Sequence, residues 1–402
     1  MAINFPMKIC IINNIYPPYN RGGAEQVVIK TIQGLQHAGH DVVLITSSPK
    51  GDEFAKEHGI TIYRVKPLNI FFYTNLHHYP VFLRAVWHVL DTFNISVAKK
   101  VQKILTKEQP DVVHTHNLMG LSFLIPRVIK AQGIRHIHTV HDVQLVEPSA
   151  MIIKEKEHAW RYNSPFTTIY SLIMSTLMGS PHVVISPSQF LKDFYQKRGF
   201  FTHSEMYIIR NPMTFDLQKQ PTKTANKKTT QCSFLYVGQV EFHKGIDSLV
   251  DAFSSFKEKN VSLHIVGDGS KLDMLKEKAK HQHNIHIHGK VPHDELPKLF
   301  SDSDVTIVPS LCYENSPTVI FESFAFGIPV IASNIEGIAE LIVEGENGFT
   351  FTAGDASALT QKIEWCIDHK AQIATMKQKT SASLVGLSID SYIKALMSHY
   401  RS

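Results

Sequence analysis

The stretch KICIINNIYPPYNRGGAEQVVIKTIQGLQHAGHDVVLIT, residues 8–46, sets the fold class. Lys8–Asn13 is a short apolar run of the kind a strand buried on both faces gives. Gly22 and Gly23 follow it. Val27, Val28, Thr31, Ile32 and Leu35 then recur at helical spacing, and Gly39 supplies a stop. Asp41–Thr46 is a second apolar run. Strand, glycine turn, helix and strand is the unit from which parallel sheets are wound.

The alternation continues outward. Strands are expected at Ile60–Val65, Asp111–His116, Ile134–Val140, Val183–Ser186 and Tyr207–Arg210. Residues 81–107 read as a helix with Val81, Val89, Phe93, Val97, Val101 and Ile104 on one side. Residues 166–178 are apolar on most faces, with a stripe at Thr168, Ser171 and Ser175. A core helix is the plain reading there, and a membrane- or acceptor-facing helix is the other. Gln218–Gln231 is polar and lysine-rich, as a linker is.

After that linker the alternation begins again. Strands are expected at Phe234–Val237, Leu263–Val266, Ile285–His288, Val305–Val308, Val330–Ala332 and Phe349–Phe351. The fold class is therefore α/β, with two Rossmann-like, doubly wound parallel-sheet domains facing a central cleft. Their expected bounds are 1–212 and 232–385, with the linker at 213–231 and a last segment at 386–402. A ligand is expected at the carboxyl ends of the strands.

The 402 residues are 43% hydrophobic and 19% charged, the composition of an ordinary globular chain. Cys10, Cys232, Cys312 and Cys366 are far apart, which argues against a disulfide framework and for reduced thiols in a cytoplasmic protein. Met1–Cys10 has one lysine and no small-residue cleavage site, so no signal peptide is expected. Tyr162–Leu191 lacks charge but is broken by prolines and glycine, so no membrane span is expected. Residues 1–212 hold 22 Lys and Arg against 14 Asp and Glu, whereas the remainder is net acidic. A basic first half suits an anionic partner: nucleic acid, an anionic membrane surface or a phosphorylated substrate. Scattered solubilising lysines explain it as well.

No dinucleotide fingerprint and no Walker loop occurs, which disfavours a dehydrogenase and a P-loop NTPase. Two other glycine loops sit at strand-to-helix turns. Around Gly22 and Gly23 the backbone can approach an anionic group, though a structural turn accounts for them equally. In VGQVEFHKG, Val237–Gly245, Lys244 precedes a helix and can neutralise a diphosphate, though a plain surface lysine fits too. Glu314-Asn315-Ser316-Pro317-Thr318-Val319-Ile320-Phe321-Glu322 follows a strand and opens a helix. Pro317 suits the helix start. The N–H groups of Thr318 and Val319 can bind phosphate oxygens. Glu314 and Glu322 can accept from sugar or ribose hydroxyls, or are acids placed by the helix dipole.

Taken in order, these pieces resemble a family-4 retaining glycosyltransferase of the GT-B fold. The resemblance runs through GGAE (Gly22–Glu25), DVVHTH (Asp111–His116), HTVHD (His138–Asp142), SPSQF (Ser186–Phe190) and RNP (Arg210–Pro212). It continues through VGQVEFHKG, VGDG (Val266–Gly269), the E-x7-E stretch, FAFGIPVIAS (Phe324–Ser333) and EGENGF (Glu344–Phe349). It implies transfer of a sugar from a nucleotide-diphosphate sugar to a glycan or lipid-linked acceptor, with retained configuration and no metal or other cofactor. Glu322 would hold the ribose, and Glu314 the donor-sugar hydroxyls. Lys244, Thr318 and Val319 would stabilise the departing diphosphate, with Gly22 and Gly23 closing from the first domain. His141 would stand at the position of the family's active-site histidine. The last segment would return to the first domain.

Two residues depart from the pattern. Gln239 stands where the family usually carries arginine, so it donates a hydrogen bond without charge, and Arg21 is one base that could compensate. Asn315-Ser316-Pro317 replaces the usual glycine-rich form and looks like a variant from bacterial cell-surface polysaccharide enzymes. The pairs His114/His116, His136/His138 and His286/His288 each lie on one strand face, but no third ligand completes a zinc site, so none is expected. The alternatives are a nucleotide-sugar epimerase or a catalytically weak sugar-nucleotide-binding relative. The expected place is the cytoplasm, docked peripherally where the acceptor is lipid-linked.

Overall fold

The computed structural model describes residues 6–19, 22–213, 231–256 and 260–401. The expected linker therefore lies almost wholly outside the described residues. The chain divides into two compact units. The first comprises Met1–Met151, Trp160–Pro212 and Ile389–Ser402, and the second Ile152–Ala159 and Met213–Ser388.

The first unit begins with β1 (Lys8–Ile12), α1 (Gly23–His37), β2 (Asp41–Ser47), β3 (Glu53–Glu57) and β4 (Ile60–Val65). It continues with α2 (Val81–Thr92), α3 (Ile95–Glu108), β5 (Val112–Thr115), α4 (Ile125–Ala131) and β6 (Arg135–Thr139). Then come α5 (Trp160–Asn163), α6 (Pro165–Met178), β7 (Val183–Ser186), α7 (Gln189–Gln196) and β8 (Glu205–Ile208). The sheet order is β3-β4-β2-β1-β5-β6-β7-β8. Every pair is parallel except β3 with β4, an antiparallel edge that the sequence pattern did not reveal.

The second unit holds β9 (Cys232–Val237), α8 (Ile246–Ser254), β10 (Val261–Val266), α9 (Leu272–Ala279), β11 (Ile285–Gly289) and α10 (Leu296–Ser301). It continues with β12 (Val305–Val308), α11 (Thr318–Ala325), β13 (Val330–Ser333), α12 (Glu336–Ala339) and β14 (Gly348–Phe351). It closes with α13 (Ala356–Asp368) and α14 (Lys370–Lys379). Its sheet is wholly parallel in the order β11-β10-β9-β12-β13-β14. Each sheet buries apolar side chains: Ile9, Ile11, Val28, Ile32 and Leu44 in the first, Phe234, Leu263, Ile307 and Phe253 in the second.

The last helix, α15 (Ile389–Arg401), packs Tyr392, Ile393, Leu396 and Met397 into the first core. The short stretch Ile152–Ala159 is held by the second unit, although it falls within the expected 1–212. The Lys154 N–H donates to Leu311 O at 2.8 Å, and the Tyr313 N–H to Ile152 O at 2.9 Å.

Residues 81–107 form two helices. Asn94 breaks them, because its side-chain oxygen accepts from the Val97 N–H at 3.1 Å and caps α3. Val97, Val101 and Ile104 are buried as expected, whereas Val81, Val89 and Phe93 face solvent. In α6 only Met174, Leu177 and Met178 are buried, so a simple core helix is not what forms.

Candidate active site

The strand orders fix where ligands can bind. In the second sheet the winding reverses between β9 and β12, and in the first between β1 and β5. Loops leaving adjacent strands at such a reversal part and open a crevice at the carboxyl ends. The loop after β9 carries Gln239 and Lys244, and the loop after β12 carries Glu314. The loop after β1 leads to Gly22 and Gly23, and β6 leads to His141.

In the second unit Lys244 and Glu314 form an ion pair, each side chain largely covered. The Ser310 hydroxyl donates to the same Glu314 oxygen at 3.0 Å. Burial alone would pull the Lys244 ammonium down, but the Glu314 carboxylate outweighs it and holds the lysine above its ordinary value. Lys244 is thus a fixed positive charge. It ends a short 3₁₀ turn, and Gly245 then starts α8 with φ +72°. A Cβ at Gly245 would lie 1.8 Å from the Pro309 carbonyl oxygen, so the β9 and β12 loops touch backbone to backbone.

The Gln239 loop is held by its neighbours. Tyr236 donates its hydroxyl to the Gln239 carbonyl at 2.6 Å. Glu241 accepts from the Ser270 N–H at 2.7 Å and from its hydroxyl at 2.6 Å. Gly267 has φ +144°, and a Cβ there would lie 1.7 Å from Gly238 O. Glycine is required for this close approach of VGDG to VGQV.

Thr318 is the first residue of α11, and Pro317 stands before it in an extended conformation. Helix geometry gives the N–H groups of Thr318 and Val319 no acceptor inside the helix, so they are donors for an anion. Glu322 is buried in the second turn.

The stretch Ile152–Ala159 borders this loop. Lys154 pairs with Glu157 at 3.0 Å and with Glu336, and Tyr313 donates to Glu157. Neither Ser310 nor Lys154 stands out in the sequence, because no local spacing marks them.

In the first unit Gly22 precedes α1, and its N–H donates to the Glu25 carboxylate at 2.7 Å. The helix end is thus partly satisfied by its own third-position acid. Gly23 is the first residue of α1. Arg21 lies outside the described residues.

His141 lines a small pocket with His116, Asn117, His138, Asp142 and Gln144. Its Nε2 lies 2.9 Å from His116 Nδ1. Burial pushes His141 down to about 4 and His116 well below its ordinary value, so both are neutral near pH 7. One ring nitrogen therefore donates and the other accepts. Asp142 is pushed up to about 6 by burial, and the Glu25 carboxylate adds to this. His114 joins Tyr400 of α15 at 2.5 Å and Thr139 at 2.7 Å.

The structure thus brings Lys244 and Glu314 into contact within the second unit, which also holds Gln239, Thr318, Val319 and Glu322. Gly22, Gly23 and His141 belong to the first. Among the described residues no group of three or more His, Cys, Asp or Glu could hold a metal ion. Among the described residues no helix is long and apolar enough to cross a membrane. The four cysteines are free and buried.

Known proteins share this pattern. A family model described as Glycosyltransferase Family 4 matches residues 21–216, and one described as Glycosyl transferases group 1 matches residues 218–382. A protein of the cps region of Klebsiella pneumoniae is 26% identical over 83% of this chain and 87% of its own. The glycogen synthase of Mycobacterium tuberculosis is 24% identical over 91% of this chain and 87% of its own. Sucrose-phosphate synthase from Thermosynechococcus elongatus shares the fold, with a TM-score of 0.76, 19% identity and 98% of both chains covered. So does Anabaena HepE, solved with UDP-glucose, with a TM-score of 0.70, 17% identity and coverage of 98% of this chain and 100% of its own. Two reversing parallel sheets, a lysine–glutamate pair at one reversal and two matching models spanning most of the chain lead to one conclusion: the protein belongs to the family 4, group 1 glycosyltransferases of the GT-B fold.

Proposed function

We propose that this glycosyltransferase moves a sugar from a nucleotide-diphosphate sugar to a glycan or lipid-linked acceptor, with retained configuration, in cell-surface polysaccharide synthesis. The observation that carries this reading is the Lys244–Glu314 pair beside the first turn of α11. A departing diphosphate gathers negative charge, and a fixed ammonium and backbone N–H groups stabilise it without reorganising. Glu314, already accepting from Ser310, turns its remaining lone pairs to sugar hydroxyls. Glu322 takes the ribose, and Gln239 contributes a neutral donor to the phosphates. His141 of the first unit is a neutral imidazole, able to donate one hydrogen bond and accept another. The UDP-glucose complex of the Anabaena structure and the cps-region relative support a nucleotide-sugar donor and a polysaccharide product. The excess of basic residues in 1–212 supports an anionic membrane surface as the place where the acceptor is met. No metal enters this scheme, so activity should persist in EDTA.

The test is a thermal-shift panel with UDP, GDP, ADP and their sugars, followed by transfer with the donor found. A ligand bound to the folded state raises the melting temperature by mass action. One nucleotide should stand out, and the product should keep the donor's anomeric configuration by NMR. Lys244→Ala and Glu314→Gln should each lower kcat/KM by roughly 10²–10³-fold, the scale of losing one preorganised charge partner. Full activity in either variant removes that residue from the site. A shift with a nucleotide but no transfer to any acceptor favours the catalytically weak sugar-nucleotide-binding relative, and sugar conversion without an acceptor favours the epimerase.

A further inference from the structure

Helix α2 is apolar on two sides. On one, Trp87 is fully buried and donates its indole N–H to Phe71 O at 2.8 Å. Buried Asp91 accepts from the Gly120 N–H at 2.8 Å. On the other, Phe82, Val86, Val89 and Phe93 recur at positions i, i+4, i+7 and i+11, and they are 67, 48, 61 and 46% exposed. Such a stripe is what a helix normally turns to a core. Helix α6 repeats the feature. Phe166, Ile169 and Leu172 are exposed, with Trp160 edge-on to Phe166 at 6.3 Å, and no residue of α6 is charged.

The two helices flank one loop. The Tyr170 hydroxyl of α6 donates to Gln144 O at 2.9 Å. Glu147 of the same loop pairs with Arg161 at 3.0 Å and acts on His88 of α2.

The segment that carries α2 is predominantly basic, although Lys100 within it is paired with Asp52 at 2.8 Å. Lys66, Arg84, Lys99, Lys100, Lys103 and Lys107 lie between residues 66 and 107 against a single acid, the buried Asp91. Along α3, exposed Ile95, Lys99 and Lys103 follow at helical i+4 steps, so basic side chains continue where the apolar stripe ends. A second copy of this chain would have to place lysine against lysine across such a face. An anionic lipid surface meets both features: its acyl boundary takes the apolar side chains and its headgroups take the lysines.

We propose that the exposed faces of α2 and α6 dock this protein on an anionic lipid bilayer, with Lys99 and Lys103 on the headgroups. The inference deepens the reading that the acceptor is met at an anionic membrane, and it is tested with neither donor nor acceptor present. The purified full chain is floated with phosphatidylglycerol-containing vesicles and with pure phosphatidylcholine vesicles at low salt. Binding at least tenfold stronger to the anionic vesicles is expected. Phe82→Asp with Val89→Asp should lower that binding at least tenfold at an unchanged melting temperature. Lys99→Glu with Lys103→Glu should reduce it to the phosphatidylcholine level. Absence of wild-type flotation overturns the proposal, as does wild-type flotation in either double variant. A wild-type dimer in light scattering that Phe82→Asp with Val89→Asp converts to a monomer also overturns it, because the face would then join copies. None of these failures alters a nucleotide-induced thermal shift, so the donor reading stands or falls separately.

Discussion

At Gly245 the chain turns with φ +72°, and the space a side chain would need is filled by the Pro309 carbonyl. Gly245→Ala must move one of the two loops that carry Lys244 and Glu314. A loss of roughly 2–3 kcal/mol in urea unfolding is expected from forced backbone strain. A weaker response to nucleotide should accompany it, and unchanged stability would contradict the clash. Lys244 and Glu314 could each be named from sequence through the family resemblance that their loops carry, whereas spacing alone left plainer readings open. Their pairing could not, since 70 residues separate them and only the adjacency of β9 and β12 brings the loops together. The His116–His141 contact was illegible for the same reason, since it joins two strands' loops, whereas Ser310 meets Glu314 within one loop but no spacing marks it.

At the scale of elements, periodicity marks a helix but not which neighbour its faces meet. The α2–α3 region has helical spacing throughout, yet Asn94 offers its side chain to the Val97 N–H and starts a new helix there. The Asn94 amide also donates to Asn69 at 3.1 Å, so the break is tied to the preceding loop. Asn94→Ala should cost about 1–2 kcal/mol of stability in denaturant unfolding, the worth of a buried cap. A change below a few tenths would mean the break is set elsewhere. The parallel strands were legible because burial on both faces gives unbroken apolar runs. The edge strand β3, EFAKE, gives no such run, because it is mostly exposed.

At the scale of the molecule, the first unit carries a dense set of buried histidines. Burial holds His114, His116 and His136 well below their ordinary value, His138 at about 3 and His141 at about 4. In the unfolded chain these imidazoles take up protons below about pH 6.5. Folding stability is therefore full above that pH and drains as the pH falls toward 4, by up to ~1.4 kcal/mol per unit for each group. Asp91 and Asp142, raised to about 7 and about 6, act oppositely, because the folded state keeps protons there that the unfolded state releases. Five imidazoles outweigh two carboxyls, so acid destabilises. The melting temperature should fall by about 10 °C between pH 7 and pH 5. A flat or rising profile would show that these rings are not buried neutral.

The sequence by itself determined the alternation of strands and helices, the glycine loops, and the glutamates at the start of α11. All of these are written in spacings of a few residues, where backbone geometry and burial act locally. Only the tertiary structure decided the rest. It set the reversal of winding that gathers the loops, the Lys244–Glu314 pair and the capture of Ile152–Ala159 by the second unit. It joined α15 to His114 through Tyr400 and turned an apolar face of α2 to solvent. The physical reason is common to all of them. A side chain's partner depends on which strands lie next to each other, and strand order is settled by packing across the whole sheet.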